Sequence, residues 1–173
     1  FVNANGDYSV AMGNATYAIG DYSTASGNNS TASGLASVAL GFNTFASGDY
    51  SIASGDNSIA LGSHSVAMGK LGYAVGESSV ALGYKNFAIG LRSVAMGDSC
   101  IASGNNSTAI GIKVLASGYL STAFGANTTS SGLASTAMGS NTTASGGAAI
   151  AMGRGTEASG FQSVAMGLTT TAS

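Results

Sequence analysis

Charge is what this sequence has least of. Of 173 residues only 7% are Asp, Glu, Lys or Arg, against about 25% in an average soluble domain. Proline and tryptophan are absent, and there is one histidine, His64, and one cysteine, Cys100. Five Lys and Arg scattered singly, in a chain of net charge −2, make neither the basic footprint of a nucleic-acid binder nor a polybasic membrane patch. One cysteine permits no intrachain disulfide and no cysteine metal cage. Collagen is excluded, because its glycine recurs every third residue alongside abundant proline. No run approaches the ~20 apolar residues of a membrane helix. Hydrophobic residues still make up 45% of the chain, the wrong composition for a solvated coil. The chain opens Phe1-Val2, without an initiator methionine or signal peptide, and so reads as a piece of something longer.

What is present is a repeat. From Gly6 to Gly167 a glycine falls on every seventh residue, 24 in succession, and only Gly72, Gly147 and Gly155 lie outside the series. Two residues before each stands Ala in 23 of 24 cases, Ser130 being the exception. The unit is 14 residues, because the halves alternate. One half reads S-V-A-M-G, as at Ser9 to Gly13, Ser65 to Gly69 and Ser93 to Gly97, and all six methionines precede its glycine. The other reads closer to T-x-A-S-G, as at Thr142 to Gly146 and Thr156 to Gly160.

A coiled coil cannot carry this heptad. Each glycine inside a helix costs about 1 kcal/mol relative to Ala, and the charged e and g positions are missing. The alternative is a strand of four or five residues, then a two- or three-residue turn entered through glycine, which takes φ > 0 without steric cost. Eleven of 12 charged side chains lie one or two residues after a series glycine, Glu157 being the exception, which suits turns. The fold expected is all-β, a parallel β-solenoid or β-roll with two short strands per 14-residue coil. About 12 coils at roughly 4.8 Å each give a rod on the order of 60 Å.

Strand side chains alternate faces, so Ser and Ala of S-V-A-M-G point one way and Val and Met the other. Ser and Ala inward make a thin interior of small side chains, and leave Val and Met on an outer wall. Such a wall exceeds the apolar patch a soluble monomer exposes, and burying each Val, Leu or Met is worth ~1.5–3 kcal/mol. The chain is therefore expected to oligomerise through it, around an axis parallel to the rod. The candidate interface residues are Val10, Met12, Val38, Leu40, Val66, Met68, Val80 and Leu82, continuing with Val94, Met96, Met138, Ile150, Met152, Val164 and Met166.

Repeated S-V-A-[ML]-G between polar turns and A-S-G half-repeats resembles the YadA-type head of trimeric autotransporter adhesins, whose motif is approximately N-S-V-A-I-G. The best matches are Ser37 to Gly41, Ser65 to Gly69, Ser79 to Gly83, Ser93 to Gly97 and Ser163 to Gly167. The Asn opening the motif is mostly replaced, by Tyr8, Ala36, His64 and Arg92 among others, and Met stands for Ile. The resemblance implies a left-handed parallel β-roll and a homotrimer, with residues 1–173 a single repetitive head domain of a longer surface protein. It further implies display on the bacterial outer membrane, on a stalk and anchor that lie outside this sequence. The function implied is adhesion to collagen, fibronectin or laminin, or to other bacteria, with virulence and autoaggregation as its outcomes.

Catalysis has little to work with. His64, two residues past Gly62, reads as a turn residue, and no nucleophile or orienting acid is placed around it. Asp7, Asp21, Asp49, Asp56 and Asp98 each follow a glycine directly and read as turn caps; Asp49 and Asp56 fall on opposite edges, against a shared calcium site. Cys100 replaces the usual Ser or Thr four before glycine and reads as a small inward thiol. No metal or cofactor is expected, and no enzymatic activity. One departure stands out. The T-x-A-S-G wall carries Ile59 and Leu61, Tyr73 and Val75, then Phe87 and Ile89, pairs 14 apart that are candidates for a ligand patch. An alternative function, ice binding, rests on Thr and Ser spaced two apart, as at Thr24/Ser26, Thr31/Ser33, Thr129/Ser131 and Thr143/Ser145. A left-handed β-helix transferase fits poorly, since its period is six and its catalytic His sits between subunits.

Overall fold

The structure, a computed structural model, describes all of residues 1–173 and contains strands and turns but no helix. It divides into two compact units, Phe1–Lys85 and Asn86–Ser173. Both are parallel β-solenoids laid down by the same 14-residue coil, about 12 coils in all. In the first unit the strand Val66–Lys70 lies between Ile52–Asp56 and Val80–Tyr84, with Ala67 opposite Ala53 and Ala81. The facing sheet there stacks Ile59–Ala60 between Phe45–Ala46 and Tyr73–Ala74. In the second unit Thr108–Ile112 lies between Val94–Asp98 and Thr122–Ala126, and Ile101–Ala102 between Phe87–Ala88 and Leu115–Ala116. Every pairing is offset by 14 residues, so like stacks on like.

The two halves of a coil are less equal than the sequence predicts. The S-V-A-M-G half makes a five-residue strand that runs through its glycine, as in Val10–Asn14. Most T-x-A-S-G halves make a strand of two residues, as in Thr31–Ala32. The second is shortened because its glycine opens a tight turn: Ser23 N donates to Gly20 O at 3.1 Å.

Glycine's part is the one expected in only half of the series. The series glycines of the long strands take positive φ as expected, from 114° at Gly83 to 136° at Gly111, whereas those of the short halves do not, and the left-handed corner itself is the residue two places beyond either. There 23 non-glycine residues take positive φ, among them Tyr22 at 59°, His64 at 59° and Lys113 at 53°. Each such residue costs on the order of 1–2 kcal/mol. Coil-to-coil bonds at the same residues offset that cost, Tyr22 N donating to Asp7 O at 2.7 Å and Asn29 N to Asn14 O at 2.8 Å. The series glycines answer a further need. A Cβ on Gly69 (φ +117°) would overlap the carbonyl oxygen of Gly83, and one on Gly62, whose φ is ordinary, would overlap that of Gly76. Successive coils approach so closely at these points that only hydrogen fits.

Between the sheets lies the thin interior. The alanines two before glycine, from Ala18 to Ala158, are wholly buried, as are the Ser residues from Ser23 to Ser135 that begin the S-V-A-M-G strands. At four positions of the other interior column the side chain bonds to the glycine carbonyl 11 residues on. Ser30 Oγ donates to Gly41 O at 2.9 Å and Ser58 Oγ to Gly69 O at 3.1 Å; Asn86 Nδ2 to Gly97 O at 2.8 Å and Cys100 Sγ to Gly111 O at 3.2 Å complete the set.

Gly72 tests this account, because it is buried in that interior column rather than in the glycine series. A Cβ there would meet nothing nearer than Ala81 O at 3.5 Å, an ordinary contact. Gly72→Ala should leave the protein as stable or up to about 1 kcal/mol more so, while Gly69→Ala should cost at least about 2 kcal/mol. Thermal melts followed by circular dichroism, with the two variants side by side, measure the difference.

Candidate functional site

The long-strand wall presents its odd positions outward. In the first unit the register places Val10, Thr24, Val38, Ile52, Val66 and Val80 in one column. Beside it run Met12, Ser26, Leu40, Ser54, Met68 and Leu82. In the second unit the columns are Val94, Thr108, Thr122, Thr136, Ile150 and Val164, and Met96, Ile110, Phe124, Met138, Met152 and Met166. Every candidate interface residue named from the sequence stands in one of these columns, half-buried or exposed. Met12 is 55% exposed, Met68 43% and Met166 59%. None of the four columns carries a charge. Sequence reading left out Ile52, Ile110 and Phe124, although the 14-residue spacing marks them: Ile110 and Phe124 make the Met96–Met166 column apolar over six consecutive coils.

The short-strand wall carries the candidate ligand patch, and the structure extends it. In the first unit Phe45, Ile59 and Tyr73 are in register, with Leu61 and Val75 exposed near them at 42% and 40%. In the second unit Phe87 is in register with Ile101 and Leu115, and Ile89 is exposed. Each unit thus has a three-coil apolar column of its own. Phe45, Ile101 and Leu115 were legible at the same 14-residue offset. The hydroxyl pairs Thr129/Ser131 and Thr143/Ser145 also share a register, bounded by Leu115 on one side and Glu157 on the other.

The turn edges hold the charges. Asp21 Oδ1 accepts from Asp7 N and Asp49 Oδ1 from Leu35 N, both at 2.9 Å, and Asn105 Oδ1 from Leu91 N at 3.0 Å. These side chains tie each coil to the one before it, a capping role like that expected of them. Asp56 lies on the opposite edge, 3.4 Å from Lys70 Nζ. Above it Asn29 Nδ2 donates to Asn43 Oδ1 at 2.6 Å and Asn43 Nδ2 to Asn57 Oδ1 at 3.3 Å, an amide ladder. His64 is an exposed turn residue whose ring stacks on Tyr50 at 5.1 Å. Sequence reading passed over that stack and a second one, Tyr8 on Tyr22 at 5.3 Å.

Cys100 is wholly buried. Burial pushes its thiol above the ordinary value, outweighing the opposing hydrogen bonds with the backbone of Val114, Gly111 and Asp98. A neutral, enclosed thiol is a poor nucleophile.

A coil that repeats without a slip and turns its apolar side chains outward in columns defines a parallel β-solenoid with an apolar outer wall. The chain belongs to the YadA head family: the pattern described as the YadA head domain repeat matches residues 3–16, 18–44, 46–70, 74–99, 88–113, 116–142, 130–156 and 158–173. That family is one of adhesins, the heads of trimeric autotransporters exposed at the bacterial outer membrane, and is not known for catalysis. No curated protein matches the chain.

Iodoacetamide at pH 8 should modify Cys100 at least about 100-fold more slowly in the folded protein than in denaturant. Mass spectrometry of timed samples reads both rates.

Proposed function

We propose that this chain is the head of a homotrimeric adhesin on the bacterial cell surface, one repetitive domain of a longer protein. Its ligands are host matrix proteins of the collagen, fibronectin or laminin class, or neighbouring bacterial cells. The observation that carries the reading is the pair of uncharged outward columns on the long-strand wall. The interior offers little apolar area, mostly Ala methyls at about 0.8 kcal/mol per buried carbon. Covering a wall residue such as Met68 or Met166 adds about 1.5–3 kcal/mol each. A rotation axis lets each wall meet its own copies, and the gain summed over the six rungs of each unit's columns is what holds the head together.

Binding in such a head is distributed. Each coil offers a similar small outer surface, three chains multiply it, and avidity comes from many weak contacts. The short-strand wall, with Phe45, Ile59 and Tyr73 in one unit and Phe87, Ile101 and Leu115 in the other, supplies its most apolar part. No cofactor takes part.

Sedimentation equilibrium at micromolar concentration should give a mass near three times 16.7 kDa. Val66→Glu with Met68→Glu should yield monomers or abolish folding, although both positions are accessible in a single chain; a stable wild-type monomer would refute the assembly. Tyr73→Ser with Phe87→Ser should leave the trimer intact and reduce adhesion to immobilised matrix proteins at least about fivefold. Undiminished adhesion by an intact trimer removes that wall from the ligand site.

A further inference from the structure

The turn edge that follows the T-x-A-S-G halves carries, at its left-handed position in the first unit, the series Tyr8, Tyr22, Ala36, Tyr50, His64 and Ser78. The register here is one residue per coil, enforced by backbone bonds from Tyr22 N to Asp7 O, Ala36 N to Asp21 O, Tyr50 N to Leu35 O and His64 N to Asp49 O at 2.7–2.8 Å. Rings at neighbouring rungs stack: Tyr8 and Tyr22 at 5.3 Å and 10° between planes, Tyr50 and His64 at 5.1 Å and 15°. Both separations follow the coil spacing of roughly 4.8 Å. Ala36 breaks this ladder. Its methyl occupies a rung that on either side holds a ring, so Tyr22 and Tyr50 stand two rungs apart, roughly 10 Å. Tyr22 is covered on one face by Tyr8, and Tyr50 on one face by His64. The other face of each turns toward the Ala36 rung.

The Ala36 rung is one coil thick and carries a methyl where its neighbours carry rings, and its surroundings select the charge of a group that would lie there. Asp49 Oδ1 accepts from Leu35 N at 2.9 Å, which holds the carboxylate against the Ala36 coil. Asp21 lies one rung away, bonded to Asp7 N. The turns of this edge in the first unit carry Asp7, Asp21, Asp49 and Glu77 and no Lys or Arg. Two aromatic faces and a carboxylate suit a planar cation. A guanidinium is planar, stacks on aromatic rings and pairs with carboxylates, whereas an ammonium is a compact point charge without a face. We infer that the Ala36 rung is a slot for an arginine side chain of a partner polypeptide, which stacks between Tyr22 and Tyr50 and pairs with Asp49. This goes beyond the adhesive reading above, since it concerns a turn edge and not the apolar walls.

The experiment uses the intact chain and the tripeptides acetyl-Gly-Xaa-Gly-amide with Xaa as Arg, Lys, citrulline or Phe, followed by NMR of the Ala36 methyl and tyrosine ring signals. The Arg peptide should shift the signals of Ala36, Tyr22 and Tyr50 with a dissociation constant of about 1–10 mM. It should bind at least about fivefold tighter than the other three. Ala36→Tyr completes the ladder and should weaken Arg binding at least about tenfold with an unchanged melting temperature, since Tyr holds the same backbone conformation at Tyr8, Tyr22 and Tyr50. Asp49→Asn keeps the acceptor for Leu35 N, as Asn105 does for Leu91 N at 3.0 Å, and should weaken it at least about threefold. Tyr50→Ser removes one face and serves if Ala36→Tyr does not fold. Absence of any shift, equal binding of the citrulline or Phe peptide, or full Arg binding by the folded Ala36→Tyr or Tyr50→Ser protein would overturn the assignment.

Discussion

The fold depends on one close contact: the α-carbon of a series glycine against the carbonyl oxygen of the glycine one coil later. Gly69 on Gly83 and Gly62 on Gly76 leave no room for a Cβ. That contact sets how near successive coils lie. It forces a parallel register of 14 and lets no coil gain or lose a residue, because an insertion would put a side chain where the carbonyl sits. The turns accept a left-handed residue at nearly every corner for the same reason. The chain must reverse within two residues to reach the next glycine, and the backbone N–H at the corner bonds to the coil before it, as Tyr22 does to Asp7. Strain of this kind is tolerated where the surroundings over-determine it, and here every coil repeats the surroundings.

A second consequence is the shortage of core. Sheets held by glycine contacts and short turns enclose room for Ala, Ser and Thr, and the largest wholly buried side chains are Val114 and Asn86. Area removed from water scales the hydrophobic gain, so this interior gives the chain directionality more than stability. The large apolar residues go outward instead, and do so in columns, because a period of 14 places Met96, Ile110, Phe124 and Met138 one above another. A wall of that kind and a thin interior belong together. In the trimer proposed above, assembly supplies what folding of the single chain leaves out.

Much of this was legible in the residues. The period, the parallel all-β architecture and the inward Ser and Ala follow from where glycine and alanine recur, since alternation of faces admits few other arrangements. Two things were misread or missed. Glycine's conformational freedom was expected throughout the series and is used only in the long strands, whereas the position of every series glycine is also dictated by a neighbour 14 residues away, and local propensity carries no trace of such a contact. The ring stacks Tyr8/Tyr22 and Tyr50/His64 were passed over because the turn positions look irregular when read along the chain. Read down the edge, one residue per coil, they form a ladder. For the walls the same change of direction recovers Phe45, Ile101 and Leu115, which are members of apolar columns.

Specificity in such a molecule is confined to the positions that the coil leaves free. Interior positions are bound to small side chains and glycines to hydrogen, while the outward columns of the long-strand wall carry no charge. What varies is the short-strand wall and the two corner residues of each turn. A corner residue has its backbone held by the neighbouring coils, so its side chain is displayed at little further entropic cost. Its neighbours above and below lie at a spacing that matches stacked planar groups. Any run of rings along the edge therefore stacks on itself, and its faces are spent internally. A face becomes available to another molecule only where a rung lacks a ring, and it attracts a cation only where acids flank that rung without bases. Ala36 meets both conditions, between Tyr22 and Tyr50 with Asp49 held against its coil. In a fold where regularity is the rule, the informative residue at the edge is the small one.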